Sequence, residues 1–268
     1  MIESQLEGLR RCFAQYEGTI TAFSGGVDSA LALYLSRLFL GKQRTIGVIS
    51  NSESLKTKDY ELAQSFAKEN DIILKTIHTE ELADDNYSSN PINRCYYCKS
   101  HLYRELQVVQ SEYPGYTVIN GTNADDHGDY RPGLKAADER KVESPLAAEK
   151  ITKKDVRALA KYFDLEVWDK PASPCLSSRI PYGSAVTREK LKQIEAAESI
   201  LNRFGFSDVR VRHFGDLCKI EVPAPHLDAL WQQADEILPK IRLLGFASCV
   251  IDQEGLVSGK LNRGLQNV

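Results

Sequence analysis

The stretch Ser24-Gly25-Gly26-Val27-Asp28-Ser29 lies between a short β-rich apolar run, residues 18–23, and an apolar segment of helical length, residues 30–40. Two adjacent glycines let the backbone turn tightly and let an anion approach without a Cβ in the way. The helix that follows would offer free N–H groups and a partial positive charge, and the two serines add further donors. The lysine of a Walker A loop and the G-x-G-x-x-G spacing of a dinucleotide fold are both missing. The stretch therefore predicts a phosphate-binding loop of another kind.

Further strands are predicted along the first half of the chain, at residues 44–50, 71–78 and 116–120, with a helix at about 57–70. Apolar strands that alternate with helices imply a parallel sheet covered on both faces. Such sheets bind ligands beyond the carboxyl ends of their strands, which directs attention to the loops that follow them. The predicted fold class is α/β with a doubly wound parallel sheet.

A second, smaller region is predicted after a helix at 151–163, where Thr152 and Asp155 resemble a capping box. Residues 170–183 are rich in proline and therefore form a connecting loop. The segments after it alternate as helix, two strands, helix and strand, which is an α+β pattern. We therefore predict two domains, residues 1–182 and a small α+β domain at 183–268.

The composition restricts the class of protein. Thirty-four Lys and Arg against 37 Asp and Glu over 268 residues give a net charge of −3, so nothing global indicates binding to nucleic acid. No apolar run reaches the roughly 18–20 residues of a membrane span. Residues 1–11 are charged and lack the apolar stretch of a signal peptide, which predicts a cytoplasmic protein. In that compartment six cysteines are expected to be thiols or metal ligands rather than disulfides.

Acidic residues near the predicted phosphate loop are candidates for a metal. Asp28 would repel a phosphate directly, so its natural use is to hold a Mg²⁺ ion that bridges to a nucleotide. The segment 121–126 follows the fourth strand and carries Asp125. It is either a turn with a helix N-cap or a contact to the ribose, the phosphates or Mg²⁺.

Three cysteines lie in segments that favour reactivity. Cys95 and Cys98 have the C-x₂-C spacing with Lys99 beside them, and Cys175 lies in the proline-rich connector four residues before Arg179. A thiolate needs exposure and positive neighbours to be reactive or to bind a metal. The x₂ spacing suits zinc and iron–sulfur clusters alike, and with His101 the set could form a Cys₃His zinc site.

Three motifs together carry a resemblance to a known family. Residues 24–29 match the SGGxDS signature of the PP-loop ATP pyrophosphatases. Residues 94–103 and 171–183, with 209–213, resemble the LarE family of ATP-dependent sulfur transferases, and the resemblance extends over nearly the whole chain. It implies ATP and Mg²⁺ as cofactors and a role in building the nickel-pincer nucleotide cofactor of lactate racemase. The implied substrate is pyridinium-3,5-biscarboxylic acid mononucleotide, whose carboxylates are adenylated and converted to thiocarboxylates.

The resemblance also implies roles for individual residues. It implies that Ser24, Gly25, Gly26 and Ser29 hold the pyrophosphate, and that Ser50 at the end of the second strand meets the adenine. Asp28 and Asp125 are the candidate Mg²⁺ ligands on the chemistry of their carboxylates. The full set expected to bind ATP is Ser24, Gly25, Gly26, Val27, Asp28, Ser29, Ser50 and Gly121.

The catalytic thiols are expected to be Cys175, Cys95 and Cys98. For members with this three-cysteine pattern the resemblance implies a [4Fe-4S] cluster on three thiolates, with one iron free to carry a transferable sulfide. The alternatives are a sacrificial Cys175 that gives up its own sulfur and becomes dehydroalanine, a zinc site, or a redox disulfide.

Basic residues indicate where an acidic substrate would bind. Arg210 and Arg212 alternate on a predicted strand and so share one face, where two guanidinium groups can hold a phosphate or carboxylates. Lys99 and Arg179 flank the thiols and could neutralise the α-phosphate and the departing AMP. All four could equally be solvated surface charges. Further candidates for substrate or metal, each more typical of a surface residue, are Glu198, Glu221 and Asp228.

Other functions remain open. tRNA thiolation also uses a PP-loop with reactive cysteines but predicts a basic accessory domain. An ammonia-dependent synthetase would leave the three loop cysteines without a use, and a nucleotide-binding regulator with a structural metal would not be an enzyme. The family tends to form hexamers, so the small domain is expected to serve substrate binding and oligomerisation.

Overall fold

The structure, a computed structural model, describes residues 2–128, 132–257 and 259–267. The chain divides into two compact units. The first runs over Met1–Glu81 and Asn93–Ser173, and the second over Leu82–Ile92 and Pro174–Val268. In the described part of the chain, no helix has both the length and the apolar character that crossing a membrane requires.

The first unit is built on a four-stranded parallel sheet. Its strands are β1 (Gly18–Ala22), β2 (Thr45–Ser50), β3 (Ile73–Ile77) and β4 (Tyr116–Ile119). Their order is β3-β2-β1-β4, with every neighbouring pair parallel. All four predicted strands are confirmed, and the carboxyl ends of β1, β2 and β4 lie side by side.

Helices cover both faces of this sheet. They are α1 (Ile2–Phe13), α2 (Val27–Leu40), α3 (Thr57–Glu69), α5 (Arg94–Ser111), α6 (Pro132–Glu139), α7 (Pro145–Ala148) and α8 (Lys153–Tyr162), whereas α4 (Asp85–Ser88) is part of the second unit. The predicted capping box is confirmed: Thr152 accepts from the Asp155 N–H, and the Asp155 carboxylate accepts from the Thr152 N–H.

The two faces of the sheet differ in the side chains that they bury. Ile20, Ile46 and Val48 pack with α5 and α6 on one face. On the other face Gly47 lets α2 approach, because a Cβ there would lie 3.0 Å from a methyl group of Leu33. Leu31, Leu33 and Leu35 of α2 are fully buried, and each buried Leu contributes about 1.5–3 kcal/mol. This packing fixes the amino end of α2 at the carboxyl edge of the sheet and confirms the predicted α/β class.

The second unit is a smaller α+β structure. Its elements are α4 (Asp85–Ser88), α9 (Arg188–Arg203), β5 (Arg210–Phe214), β6 (Leu217–Glu221), α10 (Leu227–Gln232), α11 (Ala234–Arg242) and β7 (Ser248–Ile251). Strand β6 lies between β5, to which it is antiparallel, and β7, to which it is parallel. The single helix predicted before β7 is two helices, because the backbone at Gln233 leaves helical geometry with ψ at 5°.

The second unit combines two separate stretches of the chain, residues 82–92 and the connector from Pro174 onward. Asn90 explains this, since its side-chain amide donates to the carbonyls of Ile180, Pro181 and Ser184 at 3.2, 2.7 and 3.0 Å. The segment 82–92 thereby joins residues far along the chain. The second unit thus resumes at Pro174, whereas the sequence predicted the boundary after residue 182.

Candidate functional site

The predicted phosphate loop follows β1 and leads directly into α2. Gly26 is the N-cap residue of α2, and no side chain caps the helix. The first N–H groups of an α-helix have no partner within the helix, and they carry the positive end of its dipole. The amino end of α2 is therefore built to receive an anion.

Serine side chains brace this loop from within. The Ser29 hydroxyl donates to the carbonyl of Gly26 at 3.0 Å and accepts from the Ser24 N–H at 3.2 Å. The hydroxyl groups of Ser24 and Ser29 lie 3.1 Å apart. Both serines thus fix the shape of the loop, and contact with pyrophosphate remains a prediction for them.

Two glycines are required by the backbone geometry at this edge. Gly25 has a φ of +72°, a conformation that side chains disfavour. Gly121, after β4, packs directly on the start of α2, where a Cβ would lie 2.5 Å from the Ser29 nitrogen. Gly121 therefore lies against the phosphate loop, at the edge where its position after the fourth strand places it. Its contact with ATP remains a prediction.

Both predicted Mg²⁺ ligands, Asp28 and Asp125, form hydrogen bonds within the first unit. The Asp28 carboxylate accepts from the Asn123 amide at 3.0 Å and from the Lys153 ammonium. Asp125 accepts from the backbone N–H of Lys153 at 2.8 Å, so both predicted Mg²⁺ ligands meet the same lysine. The described residues contain no group of three or more His, Cys, Asp or Glu side chains that would hold a metal. Mg²⁺ in nucleotide sites commonly uses one or two carboxylates plus phosphate oxygens. Asp28 and Asp125 fit that ion, provided that the Lys153 ammonium moves off the Asp28 carboxylate.

A second lysine contacts the phosphate loop, and sequence reasoning missed it. Lys170 donates to the carbonyl of Gly25 at 3.0 Å and forms an ion pair with Asp59 at 2.9 Å. Ser173 donates to the other Asp59 oxygen at 2.6 Å. Burial raises the pKa of Asp59, but the hydrogen bonds from Ser173 and Lys170 outweigh it and the pKa is lowered. The only sequence signal was a lysine at the start of the connector.

At the end of β2, the Ser50 hydroxyl lies 2.8 Å from that of Thr79, which follows β3. Ser50 is half-buried at the same edge of the sheet as the phosphate loop. This is the place expected for a nucleotide base.

Cys95 and Cys98 lie one turn apart on α5, near its amino end. Cys95 is exposed and Cys98 is half-buried, and neither forms a disulfide with a described residue. Gly133 of α6 packs closely here, because a Cβ would lie 3.0 Å from the Lys99 side chain and 3.6 Å from the Cys95 carbonyl. The two thiols thus form a pair on one helical turn of the first unit.

Cys175 belongs to the second unit, at the start of a short 3-10 helix. Its carbonyl accepts from the Arg179 guanidinium at 3.2 Å, and that of Pro174 accepts at 2.7 Å. Arg179 is only 1% exposed and is bound to Glu198, itself 3% exposed. This burial favours a role for Arg179 in holding the cysteine loop over the predicted direct contact with phosphate.

The two arginines of β5 differ in their surroundings. Arg212 is 3% exposed and forms an ion pair with Glu221 at 2.7 Å, while it donates to the Ser178 carbonyl at 3.0 Å. Arg210 is half-buried and forms no ion pair or hydrogen bond with any of the described residues. Burial, with Arg179 and Arg212 nearby, lowers the pKa of Arg210. Asp208 and Glu221 act against this shift, so charges of both signs lie near Arg210. Binding of an anionic substrate by Arg210 remains a prediction.

The remaining candidates fall into two groups. Glu198 and Glu221 are buried and paired with arginines, so they are part of the internal charge structure of the second unit. Asp228 is exposed at the start of α10. His101 of α5 lies 3.0 Å from an Arg104 nitrogen.

The sequence matches known proteins along most of its length. The NAD synthase family model matches residues 5–91, which hold the phosphate loop and strands β1 to β3. An uncharacterized protein of Synechocystis sp. is 42% identical over 267 residues, covering 99% of either chain. An uncharacterized protein of Methanocaldococcus jannaschii is 31% identical over 235 residues, covering 88% of this chain and 89% of its own.

A third relative has a stated activity. The pyridinium-3,5-bisthiocarboxylic acid mononucleotide synthase of Lactiplantibacillus plantarum is 35% identical over 241 residues, covering 90% of this chain and 87% of its own. These matches agree with the parallel sheet and the phosphate loop. The chain therefore belongs to the LarE family of PP-loop enzymes.

Proposed function

We propose that the protein is an ATP-dependent sulfur transferase that acts on pyridinium-3,5-biscarboxylic acid mononucleotide. It adenylates the carboxylates of this substrate and converts them to thiocarboxylates, for synthesis of the nickel-pincer nucleotide cofactor. The observation that carries the proposal is the open amino end of α2 behind a glycine loop, in a chain 35% identical to a synthase of the corresponding product.

Adenylation follows from the chemistry of a carboxylate, which is a poor electrophile because its leaving group would be oxide. A carboxylate oxygen attacks the α-phosphorus of ATP, the bond to the bridging oxygen breaks, and pyrophosphate leaves. The N–H groups at the start of α2 would bind that pyrophosphate. Asp28 and Asp125 would hold Mg²⁺ on the phosphate oxygens, and the edge at Ser50 and Gly121 would take the nucleoside.

The substrate is an anion and needs a cationic site. Arg210 supports such a site in the second unit, since this half-buried guanidinium has no partner among the described residues. Arg212 and Arg179 would raise the local positive potential while they remain bound to Glu221 and Glu198. Lys99, on the turn of Cys95 and Cys98, is proposed to bind phosphate in the first unit.

Sulfur transfer requires a sulfur nucleophile that displaces AMP from the acyl adenylate. We assign Cys175, Cys95 and Cys98 to this step. When bound by these three thiolates, a [4Fe-4S] cluster would supply a transferable sulfide on its fourth iron. Cys95 and Cys98 support two of its ligand positions, since both thiols are at least partly exposed and they lie one helical turn apart.

The alternative sulfur source is Cys175 itself. Its thiolate would attack the acyl carbon and release AMP, which gives a thioester. Loss of the Cys175 α-proton and cleavage of its Cβ–S bond would then release the thiocarboxylate and leave dehydroalanine. Cys95→Ala separates the two sources, because the cluster needs this thiol and the sacrificial route does not.

The test measures the products of the reaction together with the iron content and the mass of the protein. With ATP, Mg²⁺ and the biscarboxylic mononucleotide, the protein should release pyrophosphate and AMP and form the thiocarboxylate, detected by mass spectrometry. Cys175→Ala should form no thiocarboxylate, whereas Cys12→Ala serves as a matched control. About four irons per anaerobically purified chain would support the cluster, and loss of H₂S from Cys175 after turnover would support sacrifice. Absence of pyrophosphate release with this substrate would contradict the proposal.

We further propose a cytoplasmic homo-oligomer, a hexamer by family resemblance. The sheet of the second unit carries Phe214 and Val250 on one face, 42% and 40% exposed. Such apolar side chains are compatible with a contact between copies. Light scattering of the purified protein measures the number of chains, and a monomer would contradict this part of the proposal.

A further inference from the structure

The peptide unit between Gly25 and Gly26 decides what the phosphate loop presents to an anion. In a trans peptide the carbonyl and the following N–H point in opposite directions. A loop with the Gly26 N–H turned toward a phosphate therefore has the Gly25 carbonyl turned away from it. Two glycines allow either orientation, because no Cβ blocks the rotation.

Lys170 fixes one of these orientations. Its ammonium accepts no bond and donates to the Gly25 carbonyl at 3.0 Å, which holds that oxygen on the lysine side. Among the described residues the Gly26 N–H meets no acceptor. The carbonyl that would repel an anion is thus neutralised, and the N–H that would bind one is left open.

Asp59 in turn fixes Lys170. The ammonium and the carboxylate lie 2.9 Å apart with side chains only 17% and 12% exposed. Ser173 donates to the second oxygen of Asp59 at 2.6 Å. The connector is therefore tied to the first turn of α3 twice, at Lys170 and at Ser173, and Cys175 follows Ser173 by two residues in the chain.

We propose that Lys170 is a positioning residue that holds the Gly25–Gly26 peptide in its anion-binding orientation and couples ATP binding to the connector before Cys175. The inference rests on the proposed function for the existence of an ATP site. Lys170 itself contacts no phosphate in this arrangement. It acts through the Gly25 carbonyl, and ATP on the Gly26 N–H stabilises the same peptide orientation that Lys170 selects.

The test measures ATP binding by calorimetry and hydrogen exchange over residues 170–179 in the full-length protein. In the wild type, Mg²⁺ with a non-hydrolysable ATP analogue should slow exchange in the connector. In Lys170→Met the affinity for the analogue should fall about tenfold, the size expected for loss of a charge-assisted hydrogen bond, and the slowing should disappear. Lys170→Arg keeps a cationic donor and should recover part of both effects.

Two controls distinguish a specific effect of the Lys170 contacts from a general disturbance of the fold. Lys240→Met removes a lysine from the exposed Lys240–Glu236 ion pair of α11 and should change neither readout. Asp59→Asn should weaken binding like Lys170→Met, and the double variant should be no weaker than either single one.

The possible results separate a failure of this inference from a failure of the proposed function. Wild-type affinity in Lys170→Met with a connector that still responds to the analogue would overturn the inference while the ATP site stands. A wild type that binds no analogue would overturn both the inference and the proposed function. If Lys170→Met does not fold, Lys170→Arg and the wild type decide, and a wild-type connector that ignores the analogue overturns the coupling.

Discussion

Arg179 and Glu198 form a buried bidentate ion pair, with Nε to Oε1 at 2.8 Å and Nη2 to Oε2 at 3.3 Å. The same guanidinium donates to the carbonyls of Pro174 and Cys175, so the pair connects α9 to the loop that carries Cys175. Breaking such a pair leaves one charge buried without compensation, which typically costs 3–5 kcal/mol.

We therefore expect Arg179→Ala to lower the free energy of unfolding by about 3–5 kcal/mol. Chemical denaturation of the full chain measures this loss. The control is Arg203→Ala, at an exposed position of α9, the helix that carries Glu198. Its free energy of unfolding should stay within about 0.5 kcal/mol of the wild type. Equal losses in the two variants would show that Arg179 does not hold the loop.

The phosphate loop predicts opposite outcomes for two glycines. Gly121→Ala places a Cβ 2.5 Å from the Ser29 nitrogen, so it should destabilise the fold by about 1–3 kcal/mol and weaken ATP binding as well. In Gly26→Ala the nearest described atom to the added Cβ is the Ser24 hydroxyl at 3.6 Å, so the melting temperature should not change. ATP binding should weaken, because the Cβ lies at the N-cap of α2, where an anion would approach. Thermal unfolding and ATP calorimetry on both variants check this. A stable Gly121→Ala protein would contradict the close approach.

Much of the first unit could be predicted from local sequence, for physical reasons. Strands β1 to β4 are short apolar runs, and the glycine loop marks the position where the first of them meets a helix. Helix α5 was not predicted, although its buried face carries Tyr103, Leu106 and Val109. Its amino-terminal turns carry the cysteines with polar and aromatic neighbours, so the apolar spacing of a helix is clear only from Tyr103 onward.

The parts of the candidate site that were missed depend on contacts between distant segments. Ser173 and Asp59 are 114 residues apart, and no local pattern pairs them. The same holds for Asn90, which draws residues 82–92 into the second unit through carbonyls of the connector. Arg210 and Arg212 were predicted as equivalent, but only packing shows that Glu221 pairs with Arg212 and leaves Arg210 open.

The Asp59 contacts predict a pH dependence of stability. The pKa of Asp59 is lowered in the folded protein, with the hydrogen bonds from Ser173 and Lys170 overcoming the effect of burial. A lowered pKa stabilises the fold above the unfolded pKa of about 3.9, and this stabilisation is lost as the pH falls through the folded value. The difference in free energy of unfolding between the wild type and Asp59→Asn should thus be full at pH 6 to 7 and shrink below about pH 4. A difference that grows on acidification would contradict the assignment.

The paired cysteines of the second sheet predict a difference in thiol reactivity. Cys218 of β6 and Cys249 of β7 are direct neighbours in register. The hydrogen bond between the two thiols lowers the pKa of Cys249, opposed by burial and helped by Arg242, whereas that bond and burial raise the pKa of Cys218. Since the thiolate is the nucleophile, iodoacetamide at pH 8 should alkylate Cys249 well before Cys218.

Site-resolved mass spectrometry of the alkylated protein measures these rates, with Cys12 as an internal reference because burial raises the pKa of its thiol. Cys218→Ala removes the hydrogen-bond donor, so the pKa of Cys249 should rise and its alkylation should slow. If Cys249 in this variant reacts as fast as in the wild type, exposure rather than the neighbouring thiol sets its reactivity.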